Sequence, residues 1–237
     1  DHTITVRFPR SHVIDASRIS APAIIVGFSS TGRATWETMP NSGIGSNGFT
    51  NARHDTFTSA YKHYHETFDS ATDPKLVYCG RYTLFDSLPG DPRFTVGTAL
   101  LSPTRTYLPL ITRFVREIGT RHIPGIIHCS GGGQAKAVKF GSPGIVYVKD
   151  DLFPIPPVFQ MLHVPGMSLR EMYATYNMGH RLEVVVKDQI VADACLEIAA
   201  ECGIEAQVIG RVVPYEENPY GRKVVIKTAG EEFSYGV

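Results

Sequence analysis

The sequence predicts an α/β domain of the α+β-like kind, built as a layered mixed sheet with flanking helices. Short and nearly all-apolar runs, such as the one from Ala23 to Phe28, suit strands that are covered on both faces. They alternate with segments whose apolar residues recur every three or four positions, which is the period of a helix. The chain has 237 residues, 43% of them hydrophobic, which is enough to supply a core. We expect one domain, since no internal repeat appears.

The charge balance and the lack of long apolar runs restrict the possible partners. Lys plus Arg and Asp plus Glu both number 23, and no run of like charges is long enough to coat a nucleic acid or an anionic membrane. No stretch approaches the roughly 20 apolar residues of a membrane-spanning helix, and the first residues carry no signal-peptide core. We therefore expect a soluble, cytoplasmic protein without a nucleic-acid or membrane partner. The cysteines lack C-x-x-C spacing and predict reduced, structural thiols.

The N-terminal segment predicts a strand that is entered midway. Apolar residues alternate at Ile4, Val6 and Phe8, and the chain lacks an initiator methionine. We therefore expect a fragment of a longer polypeptide, in which residues 1–20 are the end of a preceding domain or a linker strand. Residues 21–237 then form the α/β domain.

The first half of the domain is predicted to begin with a strand, a long loop and a helix. The run from Ala23 to Phe28 is the strand, and the polar, glycine-rich segment from Ser29 to Gly48 is the loop. The helix begins at Asn47 or Gly48, because apolar residues from Phe49 to Tyr64 approximate a helical stripe. The later elements are a short strand from Leu76 to Tyr78 and a helix from Pro109 to Gly119.

The second half alternates more regularly. Gly125 to His128 and Gly144 to Val148 are short apolar strands, and a proline-rich segment leads into a short helix that includes Phe159. Ser168 and Glu171 form a capping box at the start of the next helix. The tail consists of a strand from Arg181 to Val186, a helix from Ile190 to Ala199, and strands from Gln207 to Val213 and from Lys223 to Ile226.

The stretch IIHCSGGGQAK, from Ile126 to Lys136, is predicted to hold a phosphate-bearing ligand. It combines a strand end, a glycine loop and a helix start, where amides lack intrahelical partners and the macrodipole is positive. Phosphate oxygens can approach closely because the glycines carry no Cβ. The alternative is that the glycines only make a sharp turn. The candidate ligand residues of this group are Gly131, Gly132, Gly133, His128 and, as the cation, Arg105 from the segment PTRTY.

The GSNG motif at the start of the first predicted helix is a second candidate site. Its residues are Ser46, Asn47 and Gly48, after Gly45. The side chains of Ser46 and Asn47 either cap the helix or also face a polar substrate. Its position after a long polar loop favours a functional role.

Other reactive residues carry no predicted chemistry. Cys129 follows His128, but neighbours on a strand point to opposite faces, so we do not expect a nucleophile and its base there. His63 and His65 do not share a helix face, which argues against a metal site. No P-loop motif occurs, so any triphosphate chemistry is expected to require another domain. No catalytic residue is assigned.

Six motifs occur along the chain in the order GSNGFTNAR, LLSPTRTYLP, GIIHCSGGGQAK, FPIPPVF, MYATYNMG and VIGRVV. In this order they resemble the C-terminal domain of the aminoimidazole ribonucleotide synthetases, the phosphoribosylformylglycinamidine cyclo-ligases of purine biosynthesis, over nearly the whole chain. The resemblance implies the C-terminal α/β fold of the synthetase type for residues 21–237. It also implies that the GSNG motif and the glycine loop line a substrate cleft.

The resemblance implies a reaction as well. Enzymes of that family close the imidazole ring of formylglycinamidine ribonucleotide: ATP phosphorylates the formyl oxygen, the neighbouring nitrogen attacks the activated carbon, and phosphate leaves. An N-terminal domain, paired in a homodimer, binds Mg²⁺ and ATP, so this chain is expected to be inactive alone. The chain departs from the family pattern at Thr31 to Ile44, where a longer segment replaces a short serine-glycine turn.

Two other interpretations stay open. The first is a superfamily relative with the same two-domain plan, such as a formylglycinamidine synthetase, a selenophosphate synthetase or a thiamine monophosphate kinase. The second is a non-catalytic module that binds a phosphorylated metabolite or pairs with another subunit. The residues that precede Asp1 would separate the members of the superfamily.

Overall fold

One mixed sheet organises the protein, whose computed structural model describes residues 3–46 and 48–236. Its described strands are β1 (Ala23–Ser29), β2 (Gly125–His128), β3 (Ile145–Lys149), β4 (His180–Val186), β5 (Ala206–Pro214), β6 (Arg222–Thr228) and β7 (Glu231–Gly236). They lie in the order β2-β4-β1-β5-β3-β6-β7. All neighbours are antiparallel except β3 and β6, which run parallel. The predicted mixed sheet is confirmed.

Helices cover both faces of the sheet, as predicted. They are α1 (Phe49–Thr56), α2 (Val96–Leu100), α3 (Leu108–Arg113), α4 (Pro157–Leu162), α5 (Leu169–Thr175) and α6 (Gln189–Glu201). On one face, Ile25 and Val185 belong to a core cluster with residues of α1, α4 and α5. On the other face, Val26 and Val184 pack with residues of α3 and α6. Among the described residues, no helix is long and apolar enough to span a bilayer.

Side-chain caps begin two helices of the second half. Ser168 Oγ accepts from the amide of Glu171 at 3.2 Å, and Glu171 Oε2 accepts from the amide of Ser168 at 2.8 Å, so the predicted capping box is confirmed. Asp188 Oδ1 accepts from the amide of Val191 at 2.9 Å and begins α6. Each such cap contributes about 0.5–2 kcal/mol, which helps to fix where these helices enter the layer.

The helix predicted to begin at Asn47 or Gly48 and to carry its apolar stripe as far as Tyr64 is shorter in the structure. It ends at Thr56, because Phe57 becomes extended. Phe57 and Thr58 then form isolated parallel bridges with Tyr82 and Gly80. The chain resumes only as a 3-10 helix from Ser59 to His63. Backbone pairing with a distant segment has overridden the local helical pattern.

Two predicted strands are absent, and one strand was missed. Ile4, Val6 and Phe8 are exposed at 86%, 67% and 56%, and the part of the chain described around them, residues 3–9, forms no strand. Leu76–Tyr78 is a turn, in which Tyr78 adopts a left-handed φ of 42°. The missed strand, β7, pairs with β6 at the edge of the sheet.

Candidate functional site

The predicted site segments meet at one end of the sheet. β2 ends at His128, which pairs with Leu182 at the start of β4, and β1 ends at Ser29, which pairs with His180. Because β4 runs antiparallel to both neighbours, the segments after β1 and β2 lie beside the segment before β4. This end of the sheet, which we call the loop edge, carries the glycine loop, the GSNG motif and the segment before α3.

Arg181 joins the segments of the loop edge. Its side chain is buried; Nη1 donates to Thr104 Oγ1 at 3.2 Å, and Nη2 donates to the carbonyl of Ile44 at 2.7 Å. Thr104 Oγ1 lies 3.5 Å from the hydroxyl oxygen of Ser46. The carbonyl of Arg181 also accepts from the amide of Cys129 at 2.6 Å, next to the glycine loop. The sequence pattern had placed Arg181 only as a strand residue.

The GSNG motif leaves room for that guanidinium. A Cβ on Gly45 would lie 1.6 Å from Nη2 of Arg181, so only glycine fits there. Ser46 is exposed, and α1 has no side-chain cap at its start, so the capping interpretation does not apply to Ser46. Gly48 has a left-handed φ of 67°, and a Cβ on it would lie 2.7 Å from the ring of Tyr176. Asn47, also predicted for this site, lies outside the described residues.

The glycine loop is built differently from the predicted helix start. A seven-residue 3-10 helix, Gly133–Lys139, follows it, with Gly132 in a left-handed conformation at the cap. Two turns of 3-10 helix provide only a small macrodipole, so the dipole no longer argues for an anion site. Gly131 is exposed and has open space where a Cβ would be. A Cβ on Gly133 would lie 2.5 Å from the carbonyl oxygens of Tyr173 and Tyr176, so Gly133 serves packing.

Positive charge beside the glycine loop comes from side chains. Lys136 is half-buried, and its ammonium has neither an ion pair nor a hydrogen bond with any described residue. His128 is half-buried, and its Nδ1 lies 2.9 Å from the hydroxyl oxygen of Ser130. Burial, Arg181 and Lys136 together lower the pKa of His128 to about 4. At neutral pH the loop edge therefore presents two cations, hydroxyl groups and a neutral imidazole, a set that suits an anion.

The titration of His128 is expected to report an anion at this edge. In the free protein its midpoint should lie near 4, so NMR of the imidazole should show no titration between pH 6 and 8. Inorganic phosphate offsets the two cations and should raise the midpoint. Because the unfolded histidine has a pKa of about 6.5, this residue destabilises the fold as pH falls from about 6.5 to about 4. A midpoint near 6.5 in the free protein would contradict the geometry.

Arg105, the predicted phosphate ligand, is used by the protein itself. Nε and Nη2 bind both carboxylate oxygens of Glu37, at 2.8 and 2.7 Å. Its remaining N–H groups donate to the carbonyls of Ser29, Thr31 and Gly32 at 2.9–3.0 Å. All five donors of the guanidinium are thus occupied, and none is left for a phosphate. Arg105 instead holds the segment that follows β1.

Asn177, in the motif MYATYNMG, forms hydrogen bonds with the segment that precedes the GSNG motif and with the residue that follows the glycine loop. Its Nδ2 donates to the carbonyl of Gly43 at 2.8 Å, and its Oδ1 accepts from the hydroxyl of Ser30 at 2.7 Å. Its carbonyl accepts from Nε2 of Gln134, which directly follows the three glycines, at 2.5 Å. Asn177 is buried, so these bonds are shielded from water. One asparagine therefore positions both segments that were predicted to bind ligand.

Comparison with known proteins identifies relatives that match much of this chain. A family model described as AIR synthase related protein, C-terminal domain, matches residues 25–218. The phosphoribosylformylglycinamidine cyclo-ligase of Methanopyrus kandleri is 32% identical over 195 residues, which are 82% of this chain and 46% of that protein. The protein of the same name from Sorangium cellulosum is 30% identical over 219 residues, which are 91% and 53% of the two chains.

The chain thus spans about half the length of the curated relatives it matches. Among solved structures, the hydrogenase maturation protein HypE is similar at 16% identity and a TM-score of 0.48, over 93% of this chain and 54% of that chain. A similarity of that size supports no functional conclusion.

Proposed function

Because the chain belongs to the family of AIR synthase related proteins, C-terminal domain, we propose that it is the substrate-side domain of a phosphoribosylformylglycinamidine cyclo-ligase. In the complete protein it holds formylglycinamidine ribonucleotide while ATP activates the formyl oxygen and the imidazole ring closes to give aminoimidazole ribonucleotide. The complete protein is then a cytoplasmic homodimer that acts in purine biosynthesis. Residues 21–237 form the domain, and residues 1–20 connect it to a preceding one.

One observation carries the proposal: segments far apart in the chain converge on a polar, positively charged edge. The hydroxyl groups of Ser46 and Thr104 are neighbours, and Arg181 donates to the hydroxyl of Thr104. The glycine loop follows His128, and the charges of Arg181 and Lys136 both act on this histidine. Gly131 is exposed, and nothing lies within 4 Å of the position that a Cβ on it would take. A phosphorylated ribonucleotide presents an anion and several hydroxyl groups, which such an edge can bind.

Each side chain has a separate part in this binding. Lys136 pairs with the phosphate, because its ammonium is not used by the described protein. Arg181 holds the segments of the loop edge in place and adds a positive electrostatic potential. It does not bond the ligand directly, since its donors already bind Thr104 and Ile44. One charge-assisted hydrogen bond contributes about 1.5–3 kcal/mol. Two or three of them are therefore enough for an affinity on the order of micromolar.

The loop edge does not fit Mg²⁺. Magnesium is bound mainly through carboxylate oxygens and phosphates. Both charges that act on His128 are positive, and Glu37 at this edge is already bonded to Arg105. We therefore assign ATP and Mg²⁺ to the part of the complete protein outside this chain. The work of the loop edge is to bind and orient the substrate, and we name no catalytic base.

The role of Lys136 is tested by comparing Lys136→Met with Lys139→Met in the complete natural protein. Both residues lie on the 3-10 helix that follows the glycine loop, and Lys139 is exposed. Calorimetry should show that Lys136→Met weakens binding of formylglycinamidine ribonucleotide by about 10- to 100-fold. Lys139→Met should leave it within about twofold. Equal affinities would remove Lys136 from the site.

Turnover separates the proposed reaction from the alternatives. The complete protein should convert formylglycinamidine ribonucleotide to the aminoimidazole product only when ATP is present. Binding without turnover would favour a non-catalytic module instead. ATP hydrolysis that depends on a different phosphorylated substrate would indicate another member of the superfamily.

A further inference from the structure

A group of buried polar residues lies behind the glycine loop, and none of its members is a ligand of the substrate in the proposed function. Its members are Lys149 on β3, His180 and Glu183 on β4, Gln134 in the 3-10 helix and Cys129 after β2. Lys149, Glu183 and Gln134 are 0% exposed. Burying two charges costs several kcal/mol per ion unless each finds close partners, so the arrangement of this group requires a physical reason.

The ammonium of Lys149 is fully bonded. Nζ lies 2.5 Å from Glu183 Oε1, 2.8 Å from the backbone carbonyl of Gln134 and 3.1 Å from its side-chain Oε1. An ammonium has three N–H donors, and these acceptors use all of them. Two of the three belong to Gln134, the residue that follows Gly133. The ion pair is therefore bonded directly to the end of the glycine loop.

Gln134 also forms hydrogen bonds with the segment before β4, so the ion pair is connected to that segment as well. Its Nε2 donates to the carbonyl of Asn177 at 2.5 Å and lies 3.0 Å from His180 Nδ1. His180 Nε2 lies 2.9 Å from Glu183 Oε1, which closes a ring of hydrogen bonds. Burial lowers the pKa of His180, so the imidazole is neutral and donates from Nε2 while Nδ1 accepts. Each polar group in this ring also depends on its neighbours for orientation.

We propose that the buried pair Lys149–Glu183 is a positioning device that fixes the glycine loop through Gln134. This inference rests on the proposed function only in that the loop it fixes is the one that binds the substrate. Lys149 and Glu183 act through Gln134 and do not touch the ligand. The pair therefore determines the geometry of binding, whereas stability alone does not require charges at these positions.

A metal site is the main competing explanation of the same residues. Cys129, His180 and Glu183 present ligand atoms within 4.8 Å of one another, and Glu183 Oε2 has no hydrogen-bond partner among the described residues. The position of a cation is, however, already taken by the ammonium of Lys149. Cys129 Sγ lies 3.2 Å from Glu183 Oε1, and burial raises the pKa of its thiol, which keeps it protonated. A metal requires the thiolate and the loss of the lysine contact.

The test is the double variant Lys149→Met/Glu183→Leu in the complete natural protein, beside the control Lys227→Met/Glu232→Leu. The control pair has the same chemistry at 2.9 Å but is exposed and far from the loop in the chain. Removing both charges leaves no unpaired ion, but it leaves the carbonyl of Gln134 and Nε2 of His180 without these partners, so the melting temperature should fall by less than in Glu183→Leu alone. Hydrogen exchange in the peptide 129–140 should nevertheless become at least about tenfold faster, with α6 unchanged. Neither readout should move in the control.

Gln134→Met is a second test of the proposal, which can be used even if the double variant does not fold. It leaves the ion pair in place and removes the side-chain acceptor and donor of Gln134. The same peptide should again exchange at least about tenfold faster, and binding of formylglycinamidine ribonucleotide should weaken by a similar factor. Combined with the double variant, it should add less than its own separate effect, because both changes remove the bond between Lys149 Nζ and Gln134 Oε1.

Three outcomes would overturn the positioning role. Unchanged exchange of the peptide 129–140 in Gln134→Met or in the double variant is the first. Additive effects of the two sets of substitutions are the second. One equivalent of zinc that is retained by the natural protein and lost in the double variant is the third, since it assigns the cluster to a metal. The exchange experiment needs no ligand, so failure of the nucleotide to bind the natural protein would count against the proposed function alone.

Discussion

Replacing Glu183 alone with Leu is expected to lower the free energy of unfolding by about 3–5 kcal/mol. The substitution leaves the ammonium of Lys149, which is 0% exposed, without its counter-ion. Burial by itself would raise the pKa of Glu183, but Lys149 and His180 bring this pKa down to about 2, so the carboxylate is charged at neutral pH. Urea denaturation followed by circular dichroism measures the loss.

A matched substitution in an exposed ion pair shows how much of the loss in the free energy of unfolding is due to burial of the charge. Glu232 pairs with Lys227 at 2.9 Å but is 60% exposed, and Glu232→Leu should change the free energy of unfolding by less than about 1 kcal/mol. Because the pKa of Glu183 is depressed, its contribution is present above the unfolded value of about 4.3 and is lost as pH falls toward about 2. A loss below about 1 kcal/mol in Glu183→Leu would mean that the pair is solvated.

Gly45→Ala is expected to weaken binding of formylglycinamidine ribonucleotide by about 100-fold, which corresponds to about 2.7 kcal/mol. Its Cβ would lie 1.6 Å from Nη2 of Arg181, so the guanidinium has to leave its bonds to Ile44 and Thr104. A displaced guanidinium no longer joins the GSNG motif to the segment before α3. The GSNG motif is then misplaced, and the loss of two hydrogen bonds between this edge and the ligand accounts for an effect of this size.

Gly230→Ala is the control for backbone strain at Gly45. Both glycines have a positive φ, of 59° and 80°, but a Cβ on Gly230 meets nothing within 4 Å. Calorimetry and melting temperatures should show a small loss of stability and unchanged affinity in Gly230→Ala, which carries backbone strain alone. Gly45→Ala should lose more stability, because it also displaces the buried guanidinium of Arg181, and it should lose affinity as well. Unchanged affinity in Gly45→Ala would mean that the position of Arg181 does not matter for the ligand.

Strands β1 to β6 and the longest helix could be predicted from sequence because their patterns are local and their partners are present. Val184, Val185 and Val186 form an apolar run in β4, and all three are buried. Ile4, Val6 and Phe8 alternate just as clearly, yet no described strand pairs with them, and a strand needs a partner. β7 was missed because glutamates and a serine dilute its apolar residues at the exposed edge.

The segments of the candidate site could be predicted, but the residues that join them could not. Glycine loops and the GSNG motif are recognised from residue types in a short stretch. Arg181 looks like any residue that begins a strand, and nothing local indicates that it reaches Ile44 and Thr104. Arg105 was predicted to bind the phosphate because of its charge, but it forms an ion pair with Glu37, which is 68 residues away in the chain. Contacts between residues that are distant in the chain determine which cation remains free to bind a ligand. No local sequence pattern indicates these contacts.

The most direct measurement compares the affinity of the complete natural protein for formylglycinamidine ribonucleotide with its affinity for the riboside that lacks the phosphate. If the loop edge holds the phosphate, the riboside should bind about 100-fold more weakly, and added salt should reduce the difference. Lys136→Met should bring the two affinities close together, because Lys136 is the cation that pairs with the phosphate. Equal affinities in the natural protein, or a difference that survives in Lys136→Met, would show that the phosphate is held elsewhere.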